Sequence, residues 1–289
     1  MEKEFRFSFW APLLNFELGN ASIELGHGTS IRELSAHEKN IIEKLRKYWP
    51  EAGYQKFRIE CIIAKKEPEP EPGLYLNDAE ACLEKALTVL RLFGEAIVGF
   101  NLILQPLSNE PAYGASAQYF RNYQLWSGIA PNKYTRKYEI PSGQLEMFRT
   151  FFTDYYGLDF ERIRLAVDYF NKSYIEPYIR DSLLDLVICL ENLYLKKEEP
   201  ELKAYKLRLR ASYILAEKLE ERKEIFENLK QAYNLRSQIV HGDKIPDIDH
   251  TLVIKIRGYA RESMKKFIQQ PSLAKPTKLD DVILRGQGS

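Results

Sequence analysis

Cysteine is scarce: Cys61, Cys82 and Cys189 are the only three in 289 residues. Their wide and odd spacing matches neither a metal-ligand motif nor a disulfide framework, and it fits a reducing, cytoplasmic setting. No apolar run approaches the length that crosses a bilayer, so no membrane partner is expected. The opening MEKEFRFSFW holds no signal-peptide apolar core, and secretion is not expected. Excess charge of one sign is missing too, with a formal net charge of +1. Bulk electrostatics therefore does not advertise nucleic-acid binding, and any such surface has to be local. No Ser–His–Asp set, phosphate-cradling glycine loop or zinc cluster stands out, so neither metal nor cofactor is expected.

What the chain does have is material for a core. Hydrophobic residues make up 45% and charged residues 29%, a balance typical of soluble globular proteins. The length is enough for two domains or one large one. Alternating aromatic and polar residues predict a strand over 4–10, with a turn or second strand after Pro12. ASIELGHGTSIREL reads as further strand broken by Gly26 and Gly28. Ser35 and Glu38 have capping-box spacing and open a helix running to about Trp49, with His37 a solvated first-turn residue. A strand is predicted over 55–64. EPEPEPG at 67–73 alternates acid and proline, as an extended surface connector does. Asn77 and Glu80 signal a second helix to about Leu92, followed by strand or buried extended chain up to Pro106. Residues 1–110 carry no catalytic constellation.

Residues 111–141 interleave Tyr113, Tyr119, Phe120, Tyr123, Trp126, Tyr134 and Tyr138 with Arg121, Lys133, Arg136 and Lys137. Aromatics stack on unpaired bases and cations hold phosphates, so Arg121, Trp126, Lys133 and Arg136 are candidate nucleic-acid contacts. The commoner role of such a stretch is packing between domains, and both readings stay open. From Ser142 onward the periodicity is helical, with helices expected over 143–155, 159–174, 178–197, 200–219, 221–241 and 248–269. Gly157, Pro177, Pro200 and Gly242 punctuate them. The fold class expected is α+β, with a mixed N-terminal domain over 1–141, an all-α helical bundle over 142–271 and a flexible tail over 272–289. That tail holds at most a turn of helix near 279–285.

Two charges in the bundle are out of place. The helix over 178–197 is apolar around most of its circumference, with a polar strip of Asp181, Ser182, Asp185 and Asn192. Glu191 lies off that strip. In the next-but-one helix Ile225, Phe226, Leu229, Ala232, Tyr233, Leu235, Ile239 and Val240 form an apolar arc, and Arg236 falls inside it. A buried charge is costly unless paired, so Glu191 and Arg236 are expected to face each other, directly or through water. His241 lies on a different side, in the last turn before Gly242, which suits a left-handed cap. The negative end of the helix favours a protonated imidazole there. An imidazole beside a fixed cation suits phosphate chemistry. The plainer alternatives are a structural ion pair for Arg236 and a favourable helix end for His241.

DSLLDLVICLENLYL (181–195), KAYKLRLRASYIL (203–215) and EIFENLKQAYNLRSQIVHGD (224–243), in that order, resemble the Apea-like branch of HEPN domains. The resemblance covers roughly 143–270, less than half of the chain. It implies a HEPN-like helical bundle that pairs as a homodimer and, in many members, a metal-independent endoribonuclease of toxin–antitoxin or antiviral systems. Arg236 and His241 match the ends of the family's motif and stand as the catalytic pair. Ser237, Glu191 and Asn234 stand as supporting residues, although Ser237 occupies a position more often filled by Asn, His or Asp. The partners implied are RNA, a second copy of the chain and an antitoxin or regulatory protein. Other branches keep the fold without activity, as nucleic-acid-binding or regulatory modules. For the N-terminal half the expectation is a sensor or targeting domain.

Overall fold

The computed structural model describes residues 3–14, 16–19, 22–46, 56–67, 75–94, 98–100, 102–106, 117–121, 138–158, 163–195, 202–242, 247–274 and 276–285. The fold is α+β, and the chain divides into two compact units, Met1–Gly157 and Leu158–Ser289.

The first unit is built on strands β1 (Lys3–Pro12), β2 (Phe16–Leu18), β3 (Ser22–Gly26), β4 (Thr29–Glu33), β5 (Phe57–Glu67), β6 (Leu102–Pro106), β7 (Ala117–Arg121) and β8 (Tyr138–Ile140). Six of them form an antiparallel sheet in the order β3-β4-β5-β1-β6-β7, and β2 pairs in parallel with β8. Alternation sets the two faces. Phe9, Ala11, Ile31, Phe57, Ile59 and Cys61 share one buried face, since Phe9 registers with Cys61 and both Ala11 and Ile31 register with Ile59. Helix α2 (Leu76–Phe93) covers that face with Ala79, Leu83, Ala86 and Leu90. On the other face Trp10 and Leu104 pack with Leu34 and with Ile42 of α1 (Ala36–Arg46). The β3–β4 turn needs three consecutive positive φ angles, at Gly26, His27 and Gly28. A Cβ at Gly28 would meet the Ile62 carbonyl at 2.8 Å, so only glycine fits there.

The capping box of α1 forms as read: the Ser35 amide donates to Glu38 at 2.8 Å and the Glu38 amide to the Ser35 hydroxyl at 3.3 Å. The second helix opens earlier than the Asn77–Glu80 signal implies: Tyr75, two residues before Asn77, occupies the cap of α2 and makes no side-chain cap.

Three further expectations change. Cys61 and Cys82 form a disulfide that ties β5 to α2, with Cα atoms 6.4 Å apart. A separation of 21 residues hides such a bridge, because strand and helix meet only in three dimensions. Helix α3 (Leu145–Tyr156), grouped by its periodicity with the bundle, packs in the first unit, where Phe148 sits 5.2 Å from Phe93 and Tyr156 stacks on His27 at 4.2 Å. An apolar stripe shows that a helix is buried and not against what. Finally, the turn of helix expected near 279–285 is there but longer, as α9 (Pro276–Arg285), and it is docked: its Asp280 accepts from the buried Arg210 at 2.9 Å and its Leu279 is buried.

The second unit is a helical bundle of α4 (Arg164–Lys172), α5 (Ile179–Tyr194), α6 (Lys203–Leu215), α7 (Leu219–His241), α8 (His250–Gln269) and α9. α5 is its central helix, packing against α4, α6, α7 and α8, as its nearly uniform apolar surface predicts. Its expected polar strip is only partly solvated. Ser182 is buried and donates to the Ser173 carbonyl while Arg257 donates to it, and Asp185 is buried against Lys172. Tyr194 donates to Ser263 at 2.7 Å and meets Phe267 edge to face. Among the described residues no helix is long and apolar enough to cross a membrane.

Candidate functional site

Helix α7 carries the motif residues in the order its periodicity dictates. Ile225, Leu229, Ala232 and Leu235 bury the core face. Arg236 follows on the same side, and its Nη2 donates to Glu191 Oε2 of α5 at 3.3 Å. The misplaced cation and the misplaced carboxylate thus meet across two facing helices. Neither is fully sequestered: the side chains are 28% and 18% exposed. The Arg236 guanidinium also lies 5.6 Å from the Tyr233 ring, and its buried Nε has no hydrogen-bond partner among the described residues. Burial pushes the Tyr233 phenol up, and the adjoining Glu191 carboxylate, hydrogen-bonded to it, adds to the rise. Glu191 therefore serves Arg236 and Tyr233 at once.

His241 stands apart from this cluster. It is exposed in the last turn of α7, and Gly242 closes the helix in the left-handed conformation, φ 74°, donating to the Gln238 and Ile239 carbonyls. Five residues of α-helix separate Arg236 from His241, which sets them about 140° apart around the axis and about 7.5 Å apart along it. A single helix thus presents the guanidinium inward and the imidazole outward. Ser237 is half-buried and Asn234 exposed, and neither side chain hydrogen-bonds another described residue. Val240, placed on the apolar arc by sequence, is 60% exposed, because the core-facing sector of α7 is narrower than its run of apolar residues.

Arg121 ends β7 opposite Leu102, and nothing of its side chain is described. Trp126, Lys133 and Arg136 lie outside the described residues. Among the described residues no three His, Cys, Asp or Glu side chains gather as a metal site needs.

Tyr233 is the member of the cluster that sequence reasoning missed as a polar group. Its three-residue offset from Arg236 on a helix was the available signal. Half-buried Arg257 was missed outright. Its guanidinium lies 4.8 Å from the Tyr174 ring and caps the Ser173 carbonyl at 3.1 Å, so it serves the end of α4. Comparisons with models of protein families, with curated proteins and with solved structures found no match.

Proposed function

We propose that the second unit is a HEPN-type, metal-independent endoribonuclease working as a homodimer, with Arg236 and His241 as its catalytic pair. The observation that carries this reading is the Arg236–Glu191 pair on facing helices, with His241 free in solvent at the end of the same helix. His241 acts as general base on a ribose 2′-OH, or as acid on the departing 5′-oxygen, and Arg236 stabilises the added charge on phosphorus. The 2′-oxygen bonds to phosphorus as the 5′-oxygen leaves with a proton, giving a 2′,3′-cyclic phosphate and a 5′-hydroxyl. The inward Arg236 and outward His241 of one chain favour a cleft shared by two copies, in which one His serves as base and the other as acid. The setting proposed is cytoplasmic, as a toxin or antiviral effector held in check by an antitoxin or regulatory protein. The Cys61–Cys82 bridge is the observation that stands against a reducing compartment.

A second reading has its own support. Glu191 and Tyr233 engage Arg236 within the bundle, as they would in a non-catalytic nucleic-acid-binding or regulatory HEPN-type module. Incubating the protein with labelled RNA in excess chelator separates the two: the nuclease yields fragments ending in cyclic phosphate, the module leaves the RNA intact.

A further inference from the structure

Helix α6 has the sequence KAYKLRLRASYIL, with cations at Lys203, Lys206, Arg208 and Arg210 and no carboxylate. Arg210 is committed to the fold, buried and bonded to Asp280 and to the Tyr194 carbonyl. Arg208 is different. Its guanidinium lies 4.5 Å from the Phe226 ring of α7 and 5.9 Å from the Tyr205 ring, and the two rings meet edge to face. Its Nε donates to the Ala204 carbonyl at 2.9 Å. The terminal nitrogens have no acceptor among the described residues, and no described carboxylate pairs with Arg208. A guanidinium fixed at its inner end by two rings and one backbone bond holds its outer fork in place. That fork matches two oxygens of a phosphate. Tyr205 beside it is 47% exposed, a ring with area left for a base.

Position extends the argument. Phe226 and His241 lie within about 60° of each other around α7 and about 22 Å apart along it. Lys230 and Ser237 fall in the same sector between them, and Asn234 borders it. The acid bordering that sector, Glu227, is paired with Lys230 at 3.3 Å. A strand a few nucleotides long laid along α7 would touch His241 at one end and Arg208 at the other.

We propose that Arg208, Tyr205 and Phe226 form a nucleotide subsite for single-stranded RNA, phosphate on Arg208 and base on Tyr205, at the far end of the α7 surface from His241. The identity of the strand rests on the nuclease reading. An acidic peptide offers carboxylates to Arg208 but no planar ring for Tyr205, so the chemistry favours the nucleic acid.

The probe is a short 2′-O-methyl oligouridylate, which has no free 2′-hydroxyl and cannot be cut. Its affinity for the full chain is measured against salt. Arg208→Ala is expected to weaken binding and to flatten the slope of log affinity on log salt by about 0.7, the share of one phosphate on a single strand. Tyr205→Ala is expected to weaken binding about fivefold or more with the slope kept. Arg208→Lys retains the charge and loses the fork, so it should lose affinity and keep the slope; it also serves if the alanine variant folds poorly. Wild-type affinity in Arg208→Ala and Tyr205→Ala overturns the subsite, as does a wild-type chain that fails to bind the probe. Equal competition by polyglutamate of matched charge also overturns it, in favour of a protein partner. Binding lost in these variants while natural RNA remains uncut by the wild type sinks the nuclease reading and leaves the subsite standing. RNA cut equally well by wild type and Arg208→Ala, with unchanged KM, does the reverse.

Discussion

Glu191 of α5 and Arg236 of α7 meet through a 3.3 Å hydrogen bond across 45 residues of sequence. Because both side chains keep some solvent contact, their coupling should fall below the cost of breaking a fully buried pair, about 3–5 kcal/mol. A double-mutant cycle of Glu191→Gln and Arg236→Met, read by urea unfolding, is expected to give about 1–2 kcal/mol of non-additivity. Additive effects would mean that the two residues do not act as a pair.

That pair was legible before any coordinates, since each charge breaks the apolar pattern of its own helix and a buried charge needs a partner. Gly242 was legible for a similar local reason, as a left-handed cap after the last periodic residue. The remainder lay in long-range geometry. Cys61 and Cys82 sit on a strand and a helix 21 residues apart, and no local pattern tells which face of each meets the other. The stripe of α3 announces burial without naming β3 and α2 as its partners. Ser182 and Asp185 look like a solvent strip until α4 and α8 close over them, and Asp280 becomes meaningful only once Arg210 needs a carboxylate.

Asp185 carries a stability consequence. It is 3% exposed, its Oδ2 has no hydrogen-bond partner among the described residues, and its Oδ1 sits 3.2 Å from Lys172. Burial pushes its carboxyl up to about 6, against the pull of Lys172 and with a push from Glu176 and Asp181. Between the ordinary carboxylate range, about 3.9, and this raised value, the folded protein holds a proton that the unfolded chain has shed. Stability from this group is therefore full at low pH and is lost as pH rises through that window. At neutral pH the charged form costs on the order of 2–3 kcal/mol. Lys172 is half exposed, so losing its partner matters little. Asp185→Asn should thus be more stable than wild type at neutral pH, with the gain vanishing near pH 4. Unfolding free energies of the two proteins across that range check this, and a gap independent of pH would refute it.

The Cys61–Cys82 bridge predicts a thiol count. Protein denatured without reductant should show one reactive thiol, from Cys189, and after reduction all three. Replacing both bridge cysteines with alanine should lower stability by about 2–4 kcal/mol, read from denaturant unfolding. The same count made on cells alkylated at lysis bears on location. Three reactive thiols there would accord with a reducing cytoplasm, whereas one would set aside the cytoplasmic proposal.

His241 separates chemistry from folding more cleanly than Arg236 does. Its side chain is exposed, and little packing depends on it. Losing its interaction with the negative end of α7 would cost only about 0.3–1 kcal/mol. His241→Ala should therefore melt close to wild type and keep its oligomeric state in light scattering. Under the nuclease reading it should still lose most RNA cleavage, since a positioned general acid or base contributes roughly 10²–10⁴-fold. Arg236→Ala is less informative alone, because it also strips Glu191 of its partner and leaves a half-buried gap beside Tyr233. Mixing His241→Ala with Arg236→Ala chains adds a test of the shared cleft, in which cleavage recovered in the mixture would require two copies to complete one site. A well-folded His241→Ala protein that cuts RNA as fast as wild type would remove His241 from the chemistry and leave the binding-module reading in its place.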